Sequence, residues 1–283
     1  MKGFLCLVFA SVAISVGIFL SFNMNDGSPA RPRAAIIDAL LNSPNRTFVE
    51  EATEILFDAG YEVDYIGSGE VTVDFYRRLP SLGYDFIVIR VHCGPLVRRM
   101  AEQKVVPEGD AVLFTAEAYD PDKYVSYQTN GQLARGRIAG EADENYFAVP
   151  PWFFEECAEG QFQDIFVVLD SCYGFYSSSM AEALVRRGAY VFIGWDGEVD
   201  VDHTDRAVLA LLRDLCAEEL TVGEAVREVM REVGPDPYSG SLMLFYPLDR
   251  GDCRLKIRGW NSSGLAVFSP NIIQDGRYSI GDR

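Results

Sequence analysis

Asp164-Ile-Phe-Val-Val-Leu-Asp-Ser-Cys-Tyr-Gly174 decides how the rest of the chain is read. Ile165 to Leu169 is an unbroken apolar run, the length of a strand and too continuous for an edge one. Such a run suits a parallel strand covered on both faces. It stops at the small, polar Asp170-Ser171-Cys172-Tyr173-Gly174, after which helical spacing begins. In an open α/β sheet, ligands and chemistry collect outside the carboxyl ends of the strands. Cys172 is therefore a candidate nucleophile.

Upstream, the same kind of run recurs. Ala34 to Leu40 and Tyr84 to Val91 read as strands, and Tyr61 to Ile66 as another. Thr47 to Ala59 carries Phe48, Ala52, Ile55, Leu56 and Ala59 at helical spacing, with Gly60 as its stop. Val71 to Leu79 reads as a short helix ended by Pro80. This β-α-β-α-β order calls for a mostly parallel sheet with right-handed crossovers. From Pro95 to Pro151 the pattern is less regular: a strand at Ala111 to Ala116, then a hairpin or flap from Asp120 to Gly140. Beyond Cys172 come a helix to Arg187, a buried strand from Ala189 to Gly194, and helices at His203 to Glu218 and Thr221 to Val233. Ser241 to Tyr246 and Cys253 to Ile257 read as late strands.

Gly3 to Phe22 is twenty residues without a charge, long enough as a helix to span a bilayer core. It reads as a transmembrane anchor or a signal segment, with a buried core helix the least favoured option. Residues 23–33 form a linker, 34–250 the main domain and 251–283 an extension. The main domain is then extracytoplasmic, single-pass at the cell membrane or secreted if the segment is cleaved. Asn45-Arg46-Thr47 and Asn261-Ser262-Ser263 match the glycosylation acceptor pattern.

Of the 283 residues, 48% are hydrophobic and 24% charged, which describes a chain that packs a core. The net charge of −17 argues against nucleic acid and favours cationic peptides. None of the six cysteines stands in CxxC spacing, so no structural metal site is expected. No GxGxxG or P-loop pattern follows the first strand, and no cofactor is expected.

A cysteine nucleophile needs a partner to take its proton, and histidine is the usual one. Only two are present. His92 ends a strand just before Cys93-Gly94, whereas His203 opens a helix between Asp202 and Asp205, an acidic surface context. Adjacent parallel strands ending in His92 and Cys172 would bring the two side chains to one sheet edge, with the Gly94 and Cys172 N–H groups facing an oxyanion. Asp196, Glu198, Asp200 and Asp202 form an acidic run, read as a solvated loop or, more sharply, as a calcium site or acidic substrate wall.

His92-Cys93-Gly94 followed by Asp170-Ser171-Cys172-Tyr173-Gly174 resembles the caspase-like cysteine peptidases. Gly188-Ala-Tyr-Val-Phe-Ile-Gly-Trp195 and Thr221-Val-Gly-Glu-Ala-Val226 are similar to segments of gingipain-like and CHAT members. The resemblance covers roughly Ala34 to Tyr246. It implies a three-layer α/β sandwich and a peptide-bond hydrolase acting on peptide or protein substrates. Cys172 would be the nucleophile and His92 the general acid/base, with Gly94 and Cys172 at the oxyanion hole. Asp170, Trp195 and Asp196 are candidates for the substrate cleft. The alternative is a catalytically inactive caspase-like scaffold or receptor. Cys93 favours that alternative, because the family pattern sets glycine directly after the histidine.

Overall fold

A computed structural model describes residues 31–40, 42–99, 105–138 and 144–255. The hydrophobic segment 1–22, most of the linker and the extension beyond 255 lie outside the described residues. Among the described residues, no helix is long and apolar enough to cross a membrane.

The first strand, β1 (Arg33–Asp38), leads to helix α1 (Arg46–Asp58), then β2 (Glu62–Gly67), α2 (Val73–Arg78) and β3 (Phe86–Arg90). Asn45 caps α1 by accepting the Phe48 N–H, and Phe48, Ala52 and Leu56 turn its apolar stripe inward. Thr72 caps α2 in the same way through the Phe75 N–H. Strands β4 (Cys93–Arg99) and β5 (Val105–Ala118), helix α3 (Val125–Thr129), and strands β6 (Ala134–Arg137) and β7 (Asn145–Val149) follow. Then come α4 (Pro151–Glu156), β8 (Ile165–Asp170), α5 (Ser179–Arg186), β9 (Ala189–Trp195), α6 (Val201–Cys216), α7 (Val222–Glu232) and β10 (Met243–Tyr246).

Six of the strands form one sheet in the order β10-β9-β8-β3-β1-β2, parallel throughout except for β10 against β9. β8 is central in it, as its continuous apolar run requires. Alternation splits each inner strand between two cores. Ala35, Ile37, Ile87, Ile89, Val167 and Leu169 pack with residues of α2, α4 and α5. Ala34, Ile36, Phe86, Val88, Phe166 and Val168 pack with α1, α6 and α7. Helices thus cover both faces of the mostly parallel sheet, a mixed α/β architecture.

A second, antiparallel sheet of order β4-β5-β7-β6 is a feature that the sequence reading missed. The expected flap from Asp120 to Gly140 instead supplies α3 and the edge strand β6, and residues 139–140 lie outside the described residues. The expected late strand at Cys253 to Ile257 is reduced to one bridge between Thr221 and Arg254.

Gly188 joins α5 to β9 at φ +104°, and a Cβ there would lie 2.2 Å from the Phe162 carbonyl oxygen. That backbone region excludes other residues, and the obstacle is main chain. Gly188→Ala is expected to lose roughly 2–3 kcal/mol, read as a lower urea midpoint at unchanged slope. A midpoint equal to wild type would refute the strain.

Candidate active site

In the parallel pairing of β3 with β8, Ile89 lies beside Leu169 and Arg90 beside Asp170. His92 and Cys172 each follow two residues later, so the register brings the two chain segments out side by side. Cys172 packs against the core that faces α1, α6 and α7. Cys93 belongs to the opposite core and is buried. The Cys93 thiol nevertheless lies close enough to Cys172 for the two to interact electrostatically.

The His92 ring meets Phe114 edge-on, with centroids 6.2 Å apart. Its Nε2 is buried and has no hydrogen-bond partner. Burial lowers the proton affinity of the ring, and the Arg90 guanidinium adds to the effect. The imidazole is therefore neutral at physiological pH, with a nitrogen free to take a proton.

Cys172 is half-buried, and burial pushes its thiol up. The Val199 N–H, 3.4 Å from Sγ, pulls the other way, while Glu198 adds to the rise. Sγ also lies 3.4 Å from the Val199 carbonyl, to which the S–H donates. At rest Cys172 is a thiol and His92 a neutral imidazole.

The turn after the thiol is constrained. Tyr173 has φ +57°, and its N–H is taken by the Gly197 carbonyl at 2.7 Å. A non-glycine residue in that region is a local strain of the kind that collects at functional sites. Gly174 packs closely: a Cβ on it would fall 2.9 Å from Leu169 Cδ2, so that side chain would have to shift. Gly94 differs from its expected part. It is drawn into β4 opposite Val112, and its N–H lies against the Cys93 sulfur. Its N–H is thus taken up by the Cys93 sulfur.

Two residues expected in a substrate cleft are enclosed. Asp170 and Trp195 are 0% exposed. Trp195 Nε1 donates to Thr204 Oγ1 at 3.0 Å, and Thr204 Oγ1 donates to Asp170 Oδ1 at 2.6 Å. The indole is a core wall because its one polar atom finds a partner inside. Asp196 is half-buried, and its Oδ1 accepts the Leu242 N–H at 2.8 Å, tying the loop after β9 to the approach to β10.

His203 is likewise not on an acidic surface. It is 4% exposed and stacks at a tilt on Trp195, centroids 5.6 Å apart. Its Nε2 lies 3.1 Å from the Gly234 carbonyl, which fixes the Nε2–H tautomer, and its Nδ1 accepts from Arg206. The acidic run beside it is also partly committed: Asp200 caps α6 through the His203 N–H. Among the described residues, no group of three or more ligating side chains could hold a metal ion.

The sequence reading passed over a buried charge network behind the strand ends. Arg90 is 0% exposed, and its Nε and Nη2 fork onto Asp205 at 2.7 and 2.9 Å. Nη1 reaches Asp38 at 3.0 Å, and Nη2 also reaches the Ser43 carbonyl at 2.9 Å. Asn45 Nδ2, the atom that glycosylation would use, donates to Asp205 at 2.7 Å. A signal for this network exists in the sequence: AAIID38, FIVIR90 and IFVVLD170 each end an apolar run in a charge.

Compared with protein-family models and with the curated proteins, the chain finds no match.

Proposed function

We propose that this chain is a cysteine peptidase of the caspase-like kind, with Cys172 as nucleophile and His92 as general acid/base. The observation that carries the reading is the β3–β8 register, which sets His92 and Cys172 two residues beyond the paired Arg90 and Asp170. The unpartnered Nε2 of His92 supports it, since a buried, unsatisfied nitrogen calls for an explanation and a proton-accepting role supplies one. In the reaction, Cys172 Sγ attacks the peptide carbonyl as its proton passes to His92. His92 then protonates the departing amine, and water releases the acyl group. The Cys172 N–H is the oxyanion donor in this scheme; a second donor would have to come from a residue other than Gly94. The net charge of −17 favours cationic peptide substrates and disfavours nucleic acid. The hydrophobic segment 1–22 would tether or export the domain, with the membrane as its partner.

The test is labelling of the purified domain with electrophilic peptide probes that vary in the P1 residue, followed by mapping of the modified cysteine. Labelling confined to Cys172, and absent in Cys172→Ala, is the expected result. Buried Cys93 and half-buried Cys216, whose thiols burial pushes up, serve as internal controls. No labelling of Cys172 across the probe set would transfer the weight to an inactive scaffold. That second reading has its own observation, the grip of the Val199 peptide group on Sγ from both sides.

A further inference from the structure

The network behind the strand ends contains one guanidinium and three carboxyl groups, and its hydrogen bonds identify which carboxyl holds a proton. Asp205 is well supplied with donors and keeps one acceptor site on Oδ1: Oδ1 accepts from Arg90 Nε, and Oδ2 accepts from Arg90 Nη2 and Asn45 Nδ2. Asp38 accepts from Arg90 Nη1, from the Leu40 N–H at 3.3 Å and from the Tyr65 hydroxyl at 3.4 Å. Both are supplied as carboxylates. Asp170 is not. Its Oδ1 accepts the one Thr204 proton, whose direction is fixed because Thr204 Oγ1 itself accepts from Trp195. Its Oδ2 is enclosed and receives no donor: Arg90 Nε stands 3.9 Å away and already points at Asp205.

A third anion at that place would have no exposed surface, one unanswered oxygen and a carboxylate for a neighbour. The charged groups facing Asp170 are Asp38 from β1, Arg90 from β3 and Asp205 from α6, and Trp195 on β9 contributes none. One cation already answered by two anions leaves nothing for a third. The geometry points to Asp170 as a neutral carboxylic acid whose Oδ2–H is donated to Asp205, a positioning residue that locks the end of β8 to α6 behind Cys172. Burial and the adjacent Asp205 raise the Asp170 carboxyl well above the ordinary carboxylate range, in line with the geometric argument. The inference that the lock serves the thiol rests on the Cys172–His92 reading. The protonation of Asp170 does not.

Asn in place of Asp170 keeps the shape, the acceptor for Thr204 and a donor for Asp205, and it cannot ionise. Unfolding midpoints of wild type and Asp170→Asn are to be measured from about pH 4 to pH 9. If Asp170 is protonated in the fold, the unfolded chain loses that proton first as pH rises past about 4. Stability from this group is full at low pH and declines up to its raised folded value. The expected result is near-equality at pH 4 and a growing advantage of Asp170→Asn toward neutral pH. A difference that stays flat with pH, or one that favours wild type at neutral pH, overturns the protonated state.

The positioning role is read separately, by the rate of Cys172 labelling with the peptide probe. Asp170→Leu, which can bridge neither Thr204 nor Asp205, is expected to lose at least about tenfold, and Asp170→Asn to restore the rate. Equal rates in folded Asp170→Leu and Asp170→Asn overturn the positioning role. A wild type that never reacts with the probe fails as a peptidase, while the unfolding series still decides the state of Asp170.

Discussion

Arg90→Met is expected to lower the stability of the domain by roughly 3–5 kcal/mol, the range for breaking a buried ion network by removing one partner. The guanidinium makes four hydrogen bonds, to Asp205 twice, to Asp38 and to the Ser43 carbonyl, and none of its surface is exposed. Methionine fills much of the volume, so the loss is electrostatic more than a cavity effect. Two carboxylates, Asp38 at the end of β1 and Asp205 on α6, are left in the interior with their cation gone. Arg90→Lys keeps the charge but loses the fork, and a smaller deficit of about 2 kcal/mol is expected. Chemical unfolding at pH 7 is the measurement. A loss below about 1 kcal/mol at pH 7 in Arg90→Met would mean that the network is solvated.

The same residues mark how far the sequence could be read. The central strands were legible because AAII, FIVI and IFVVL are continuous apolar runs, and only strands covered on both faces tolerate them. Helices α1, α6 and α7 were legible for the complementary reason, one apolar stripe with a capping residue at its start. The second sheet was not, because Gly94, Pro95, Pro107 and Gly109 interrupt the strands that build it. Its register indeed shifts between Pro95 and Val97, and proline is tolerated because β4 lies at the edge.

At the candidate site, the sequence predicted that His92 and Cys172 would leave neighbouring strands, and the register agrees with that expectation. It misread the surroundings. Acidic residues beside His203 suggested a surface, but Asp205 faces inward to Arg90, 115 positions away in the chain. Trp195 and Asp170 were candidates for the cleft, with a wall of the core the favoured reading of Trp195 and a cap or backbone contact the alternative for Asp170. Their burial depends on Thr204, a residue that no local pattern singles out. Charge at the end of an apolar run is thus ambiguous by itself. It marks either a ligand site or an internal pair, and only the partner's position in space decides between them.

His92→Ala is expected to reduce the rate at which a peptide electrophile labels Cys172 by roughly 10²–10⁴-fold, the contribution typical of a positioned general acid/base. The fold should tolerate the change. Among the described residues Nε2 makes no hydrogen bond, and the aromatic contact of the ring is the edge-on approach to Phe114, so a stability change within about 1 kcal/mol is expected. The two residues start as neutral partners, because burial raises the thiol and lowers the imidazole. Labelling by wild type should therefore rise with pH as His92 loses its proton, which happens below the ordinary histidine range. It should then stay level through neutrality. Without the ring, labelling has to wait for the free thiolate, which burial displaces upward, and the rise moves to the alkaline side. Wild type and variant should converge at high pH, where the base is no longer needed. Parallel profiles, differing only in height, would assign His92 a packing role instead. Equal rates at pH 7 with the fold intact would remove it from the chemistry altogether, leaving Cys172 as a buried thiol held by Val199.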